Sequence, residues 1–280
     1  MTCLLAACGT AAPSPQARPA MWLVEDADTR IYILGTMHAL PRGTDWDEGK
    51  VAGAIRAADE LVLELPPAEL AAAGDMFRKL APRDTPLRME ARLSGEALAR
   101  YRALEASGGD FGGDRYDDWA VMVLMGQRVA RNAELSPADG VETGLTAEFE
   151  AAGKPIGGLE TAEGQLMLFE KLDAATQRRL LTRAAENSED AVREVTALTA
   201  AWGRGDVAAL KKVINEDVDM VPAARKAIIT DRNRRWSAWV KKRMEQPGTV
   251  LMAVGAGHLV GADGVPAMLE ADGLKVSRVQ

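Results

Sequence analysis

The chain carries only two histidines, His38 and His258, so any imidazole chemistry must use one or both of them. Each stands in the same short pattern. The first is Gly35-Thr36-Met37-His38, directly after the apolar run Ile31 to Leu34; the second is Gly255-Ala256-Gly257-His258, directly after Val250 to Val254. Both runs read as strands, and residues just beyond the carboxyl ends of strands in a mainly parallel sheet line the crevice where ligands bind. The motif glycines Gly35, Gly255 and Gly257 let the backbone leave the strand sharply and let a ligand approach closely. A lone histidine on an apolar face is more often structural, but a context shared by both histidines argues for function.

Three further groups extend this constellation. Glu64 interrupts Leu61-Val-Leu-Glu-Leu65, a strand expected to be buried, where a carboxylate needs a cation, an arginine or a hydrogen-bond network. The plainer alternative is an outward-facing glutamate on an edge strand. Glu160 follows Ile156 to Leu159 in the same way, though a charge in the first turn of a helix would also explain it. Ile229, Arg232, Asn233, Trp236 and Val240 recur at three- and four-residue spacing and so share one helical face. Arginine is seldom buried unless paired, so Arg232 is expected to meet a carboxylate or to bind substrate with Asn233, the alternative being a guanidinium reaching back to solvent.

Two histidines with one or two carboxylates at converging strand ends have the composition of a divalent-metal shell, with imidazole and carboxylate suited to Zn, Mn or Fe. His38, His258, Glu64 and Glu160 are the groups such a shell would draw on, with a free glutamate as general base. Such a site would be hydrolytic, because a metal can supply hydroxide and polarise a carbonyl. The H-E-x-x-H helix of thermolysin-like proteases is absent, as are G-x-S-x-G, a Walker A loop and a dinucleotide fingerprint.

The elements that must position these residues alternate between strand and helix from Met21. Trp22 to Val24 and Arg30 to Leu34 form an expected hairpin around Glu25-Asp-Ala-Asp28, and Glu48 to Ala58 is a helix leading into the strand at Leu61 to Leu65. Helices over Pro67 to Leu80, Ser94 to Ala106 and Asp117 to Arg131 form a helical insertion at about 67–135. Gly140 to Ala152 is helical, Lys154 to Leu159 a strand, and Thr161 a plausible N-cap. Helices then cover Asp173 to Glu186, Ser188 to Trp202, Asp206 to Asn215 and Pro222 to Glu245. Strands at Thr249 to Val254 and Leu274 to Val279 enclose a last helix, Val265 to Ala271. The fold class is therefore α/β, a mixed, mostly parallel central sheet flanked by helices, with residues 21–280 as one domain.

Composition narrows the partners. The 280 residues hold 34 Lys and Arg against 41 Asp and Glu, a net charge of −7 without a basic block, so nucleic acid is not expected. Both cysteines, Cys3 and Cys8, fall in the first eight positions and leave no disulfide for the folded body. Leu5-Ala6-Ala7-Cys8 resembles a bacterial lipobox in which Cys8 is lipidated, with the Pro- and Ala-rich stretch to residue 20 as a tether. That pattern leads to a periplasmic protein or an outer-membrane lipoprotein facing the periplasm, with the membrane met only through the N-terminal lipid anchor.

Several short pieces in order resemble the TraB/GumN family, which includes the TIKI metalloproteases and is similar in architecture to erythromycin-esterase-like and ChaN-like proteins. They are Ile33-Leu-Gly-Thr-Met-His-Ala39 with Leu40-Pro41, Leu63-Glu-Leu-Pro66, Gly140-Val-Glu142, Gly153-Lys-Pro155, Gly158-Leu-Glu-Thr161 with Gln165, Asp231-Arg-Asn233, and Val254-Gly-Ala-Gly-His-Leu-Val-Gly261 with Gly264-Val265. The family pattern of two G-x-x-H motifs with a Glu and an Arg falls on His38, His258, Glu64 and Arg232; Glu142 stands where the family more often has Asp. The resemblance implies an α/β fold and, by analogy with the TIKI members, metal-dependent hydrolysis of peptides favouring Mn or Co. Two other functions are carried forward: a non-catalytic haem- or metal-binding lipoprotein similar to ChaN, and a metal-free hydrolase using His38 as base on a peptide or small-molecule substrate.

Overall fold

The computed structural model describes residues 16–218 and 221–280, without the side chains of 214–218. Cys3, Cys8 and the lipobox-like segment lie outside the described residues. The folded body includes residues before Met21, because Ala17 and Ala20 are buried and the Ala17 and Arg18 amides donate to Asp45 and Gly203 carbonyls.

The first strand, β1 (Met21–Glu25), turns back on β2 (Thr29–Thr36) as an antiparallel hairpin. Asp26 closes the turn by accepting the Asp28 and Thr29 amides on Oδ1. A two-residue strand, β3 (Leu40–Pro41), precedes α1 (Gly49–Ala57) and β4 (Glu60–Leu63). Three helices follow, α2 (Pro67–Leu80), α3 (Gly95–Ala106) and α4 (Asp118–Asn132), then β5 (Leu135–Ser136), α5 (Val141–Ala151) and β6 (Ile156–Gly158). Next come α6 (Ala162–Glu170), α7 (Ala174–Glu186), α8 (Ala191–Gly203) and α9 (Val207–Val218). Thr161 caps α6 by accepting the Gly164 amide, as its sequence position predicts.

The single helix expected over 222–245 is instead three pieces: α10 (Pro222–Arg225), a π-helical turn over Lys226–Thr230, and α11 (Asp231–Arg243). Periodicity cannot reveal this, because one extra residue per turn changes the hydrogen-bond partner without changing which residue types are apolar. The chain closes with β7 (Gly248–Gly255), α12 (Val265–Ala271) and β8 (Val276–Arg278). The strand expected at Leu61 to Leu65 ends at Leu63, which leaves Glu64 just beyond the sheet.

The main sheet has the order β6-β4-β7-β2-β1-β8. β6, β4, β7 and β2 run parallel, and β1 pairs antiparallel with β2 and β8. This is the mixed, mostly parallel sheet that the alternating pattern implies. Along β7, Leu251 and Ala253 face one layer while Val250, Met252 and Val254 face the other, as the period of two requires. The first layer comprises α1, α5 and Trp202 of α8; the second comprises α11 and α12, through Trp236, Val240, Val265 and Leu269.

The helical insertion is not self-contained. Leu181 and Ala185 of α7 complete the core around Tyr101, Phe111 and Met125, while Leu166 and Phe169 of α6 pack beside Trp119. Buried Asp118 ties the same layers together by accepting from Arg92 and Arg178. Among the described residues no helix is long and apolar enough to cross a membrane.

Candidate functional site

Strand register brings the sequence motifs together. Thr36 pairs with Gly255 across β2 and β7, and Leu63 pairs with Ala253 on β7 and with Gly158 on β6. The carboxyl ends of four parallel strands thus share one rim, the place where open α/β sheets bind ligands. His38 follows β2 by two residues, Glu64 follows β4 directly, Glu160 follows β6 by two, and His258 follows β7 by three. The Glu160 amide donates to the Glu64 carbonyl at 2.9 Å, which locks two of these exits side by side.

At the centre lies the Arg232 guanidinium. Its Nε donates to both Glu160 oxygens at 3.1 Å, and Nη2 donates to Glu160 Oε2 at 2.8 Å and to Glu64 Oε2. Nη1 faces His258 Nε2 at 2.9 Å and the Ile228 carbonyl at 3.3 Å. These contacts account for all five N–H groups of the side chain. Arg232 is buried, as is Glu64, so the pairing supplies the compensation that the sequence pattern demanded for both. The guanidinium also stacks 4.7 Å from the Trp236 ring centroid.

The contact with Arg232 fixes the state of His258. Arginine can only donate, so His258 Nε2 must accept, and the ring proton is on Nδ1, which donates to Asn233 Oδ1 at 2.6 Å. Burial first, and then the nearby Arg232 charge against the attraction of Glu64, push the His258 pKa down to about 3. His258 is therefore neutral at pH 7. Asn233 is fully buried and holds the following loop as well, donating Nδ2 to the His258 and Asp263 carbonyls.

His38 has a different setting. Its Nδ1 lies 2.8 Å from Glu142 Oε1, and its side chain is 70% exposed, so the ring is both anchored and accessible. The Glu142 carboxylate dominates and lifts the His38 pKa to about 9. Glu142 is oriented in turn by the Thr36 hydroxyl. Gly140 makes this possible, because a Cβ there would lie 2.2 Å from the His38 carbonyl oxygen. Without that close approach the start of α5 could not bring Glu142 to the imidazole.

Gly255 sits where these groups meet. A Cβ on it would lie 3.2 Å from Glu64 Oε1, 3.7 Å from His258 Cδ2 and 3.8 Å from His38 Nε2. The Gly255 amide donates to Glu64 Oε1 at 2.8 Å, and Gln165 Nε2 donates to Glu64 Oε2 at 3.1 Å. Burial alone would raise the Glu64 carboxyl; the positive charge of Arg232 and His38, with the Gly255 amide, outweighs it and holds the pKa at about 2. Gly35, in the first histidine motif, abuts Ala256, and its carbonyl accepts the Trp202 indole N–H at 2.8 Å.

The expected residues therefore converge, in roles that differ in part from those expected. Arg232 has no N–H left to clamp a substrate, and Asn233 contacts His258 rather than the crevice. Nor does the donor set fit a metal ion as arranged. Both His258 nitrogens are engaged, by Arg232 and Asn233, and both Glu64 oxygens take donors from the protein. Among the described residues no group of three or more His, Cys, Asp or Glu is placed to hold one. Thr36 and Asp263 are site residues that the sequence reading passed over. Thr36 lies inside the first histidine motif, whereas Asp263, which joins Arg225 and Thr230 to the loop after His258, carries no sequence signal.

No curated protein matches the chain, and no solved structure matches it. The sequence model of the TraB/PrgY/gumN family matches residues 20–278, a span that contains every residue of this rim. The chain belongs to the TraB/PrgY/gumN family.

Proposed function

We propose that the rim is the active site of a hydrolase in which His38 moves the proton, acting on an acyl bond of a peptide or small-molecule substrate. The observation that supports it most directly is the Glu142–His38 pair, an accessible imidazole anchored through Nδ1 so that Nε2 faces the spot bordered by Glu64. An anchored ring with one nitrogen free toward the crevice is the arrangement general acid–base catalysis needs. The neutral form of His38, a minor fraction at pH 7 that grows as pH rises toward 9, takes a proton from water on Nε2 as the water oxygen attacks the carbonyl carbon. The resulting imidazolium returns that proton to the leaving oxygen or nitrogen as the acyl bond breaks. Arg232 holds the Glu64 and Glu160 carboxylates beside this spot and acts as an organiser.

The reading with Mn, Co or Zn on His38, His258 and Glu64 requires the Arg232 guanidinium to leave its acceptors and His258 Nε2 to turn to the ion. Haem binding and lipid anchoring through Cys8 at the periplasmic face are separate proposals. A panel of ester and peptide substrates, assayed with chelator and after loading with Mn, Co or Zn, discriminates among them. Hydrolysis that survives chelator and falls by about 10²–10⁴-fold in His38→Ala is the expected result. Activity abolished by chelator and restored by a metal replaces this reading with the metallohydrolase. A Soret band on adding haemin, without hydrolysis of any substrate, replaces it with the haem protein.

A further inference from the structure

Away from the histidines, the helical layer forms a half-open cavity of about 440 Å³ between α4, α7 and α8, bordered at one side by Ala224 and Ile228. The volume lies within the range of small-molecule sites. Its walls are aliphatic or sulfur-containing, with Met122, Met125 and Val129 on α4 and Leu180, Val195 and Leu198 across from them; no aromatic ring lines it among the described residues. The charged and amide groups in the lining, Arg183, Asn187 and Glu194, come from a single place, the junction of α7 and α8. One polar end and an otherwise apolar wall match an amphiphile. Methionines accommodate a chain with many rotamers, and the lack of rings leaves nothing to stack an aromatic ligand.

Gly126 adds an independent observation. It lies in the middle of α4 and lines the cavity, and a Cβ on it would meet nothing within 4 Å. Its φ is not positive, so neither backbone conformation nor crowding calls for glycine there. A mid-helix glycine weakens the helix relative to alanine. Gly126 is exposed, so what the missing side chain leaves is open space at the mouth of the cavity.

We propose that this cavity binds a single unbranched aliphatic chain, with the polar head of the amphiphile at the α7–α8 junction. The site is distinct from the rim and does not depend on the hydrolase reading, although it abuts the same turn: Ile228 lines it, and the Ile228 carbonyl accepts from Arg232 Nη1.

Calorimetric titration of the full chain with dodecanoate below its micellar concentration tests this, with butyrate as the short-chain control. The expected result is saturable binding of one dodecanoate per chain, none of butyrate, and affinity lower by about tenfold or more in Gly126→Leu. The variant itself should unfold at a temperature no lower than wild type, since the new side chain enters empty space. Should Gly126→Leu not fold, Ala191→Leu on the α8 wall makes the same test. Absence of saturable dodecanoate binding overturns the proposal, as does an affinity that the cavity-filling variant leaves unchanged.

Discussion

Arg232 is the residue on which the rim depends, because it is the shared partner of two buried carboxylates and a neutral histidine. Removing one member of such a set leaves buried charge without compensation, and Arg232→Ala is expected to cost about 3–5 kcal/mol in chemical denaturation. Arg232→Lys should recover only part of this, since an ammonium cannot address Glu64, Glu160 and His258 with one planar fork. His38 offers the complementary test. Glu142 is the main cause of its raised pKa, with Glu64 acting in the same direction and Arg232 against it. Glu142→Gln is expected to bring the His38 pKa down from about 9 toward its ordinary 6.5, read from the imidazole resonances by NMR. If His38 is the base, the rising limb of the pH–rate profile must move down with it. A limb that stays in place while the imidazole shifts would assign the proton transfer to another group.

The elements owe their placement to a few close approaches. α5 delivers Glu142 only because Gly140 lets its first turn touch the His38 backbone, where any side chain would collide with a carbonyl rather than with a movable group. Gly140→Ala should therefore destabilise by about 1–3 kcal/mol, and should also lower the His38 pKa as Glu142 is pushed away. The second readout separates loss of positioning from general loosening. Gly126 in α4 predicts the opposite sign: with nothing near its absent Cβ, Gly126→Ala should stabilise by about 0.5–1 kcal/mol, seen as a higher unfolding temperature. The sequence periodicity located α4 and α5 well, since their apolar residues recur at helical spacing. It could not show the π-helical turn at Lys226–Thr230, because that turn is held by a backbone hydrogen bond from Asp231 to Lys226 and by the Thr230 hydroxyl on Asp263.

For the whole molecule, the rim ties stability to pH on both sides of neutrality. The folded state keeps His258 neutral down to about pH 3 against an ordinary 6.5, so its contribution is present above 6.5 and is lost as pH falls toward 3. Glu64, held at about 2 against 4.5, adds a loss as pH falls from 4.5 toward 2, overlapping the lower part of the His258 range. His38 works in the other direction: raised to about 9, it contributes fully below 6.5 and is lost as pH rises through 9, an effect kept shallow by its exposure to solvent. Denaturation midpoints measured from pH 3 to 9 should peak near neutrality, and His258→Gln should flatten the slope between 6.5 and 3. Persistence of that slope in the variant would assign the acid flank to other groups. Sequence by itself determined the alternation of strands and helices, the two histidine motifs at strand ends and the need of Glu64 and Arg232 for partners, because periodicity, glycine placement and the cost of buried charge are properties of short stretches. Which partner each group takes was decided only by tertiary structure. Strand order sets four chain exits on one rim, and the direction of each side chain there determines that Arg232 faces inward to Glu64, Glu160 and His258 while His38 faces out beside Glu142. Those choices rest on contacts between residues far apart in the chain, and no local pattern encodes them.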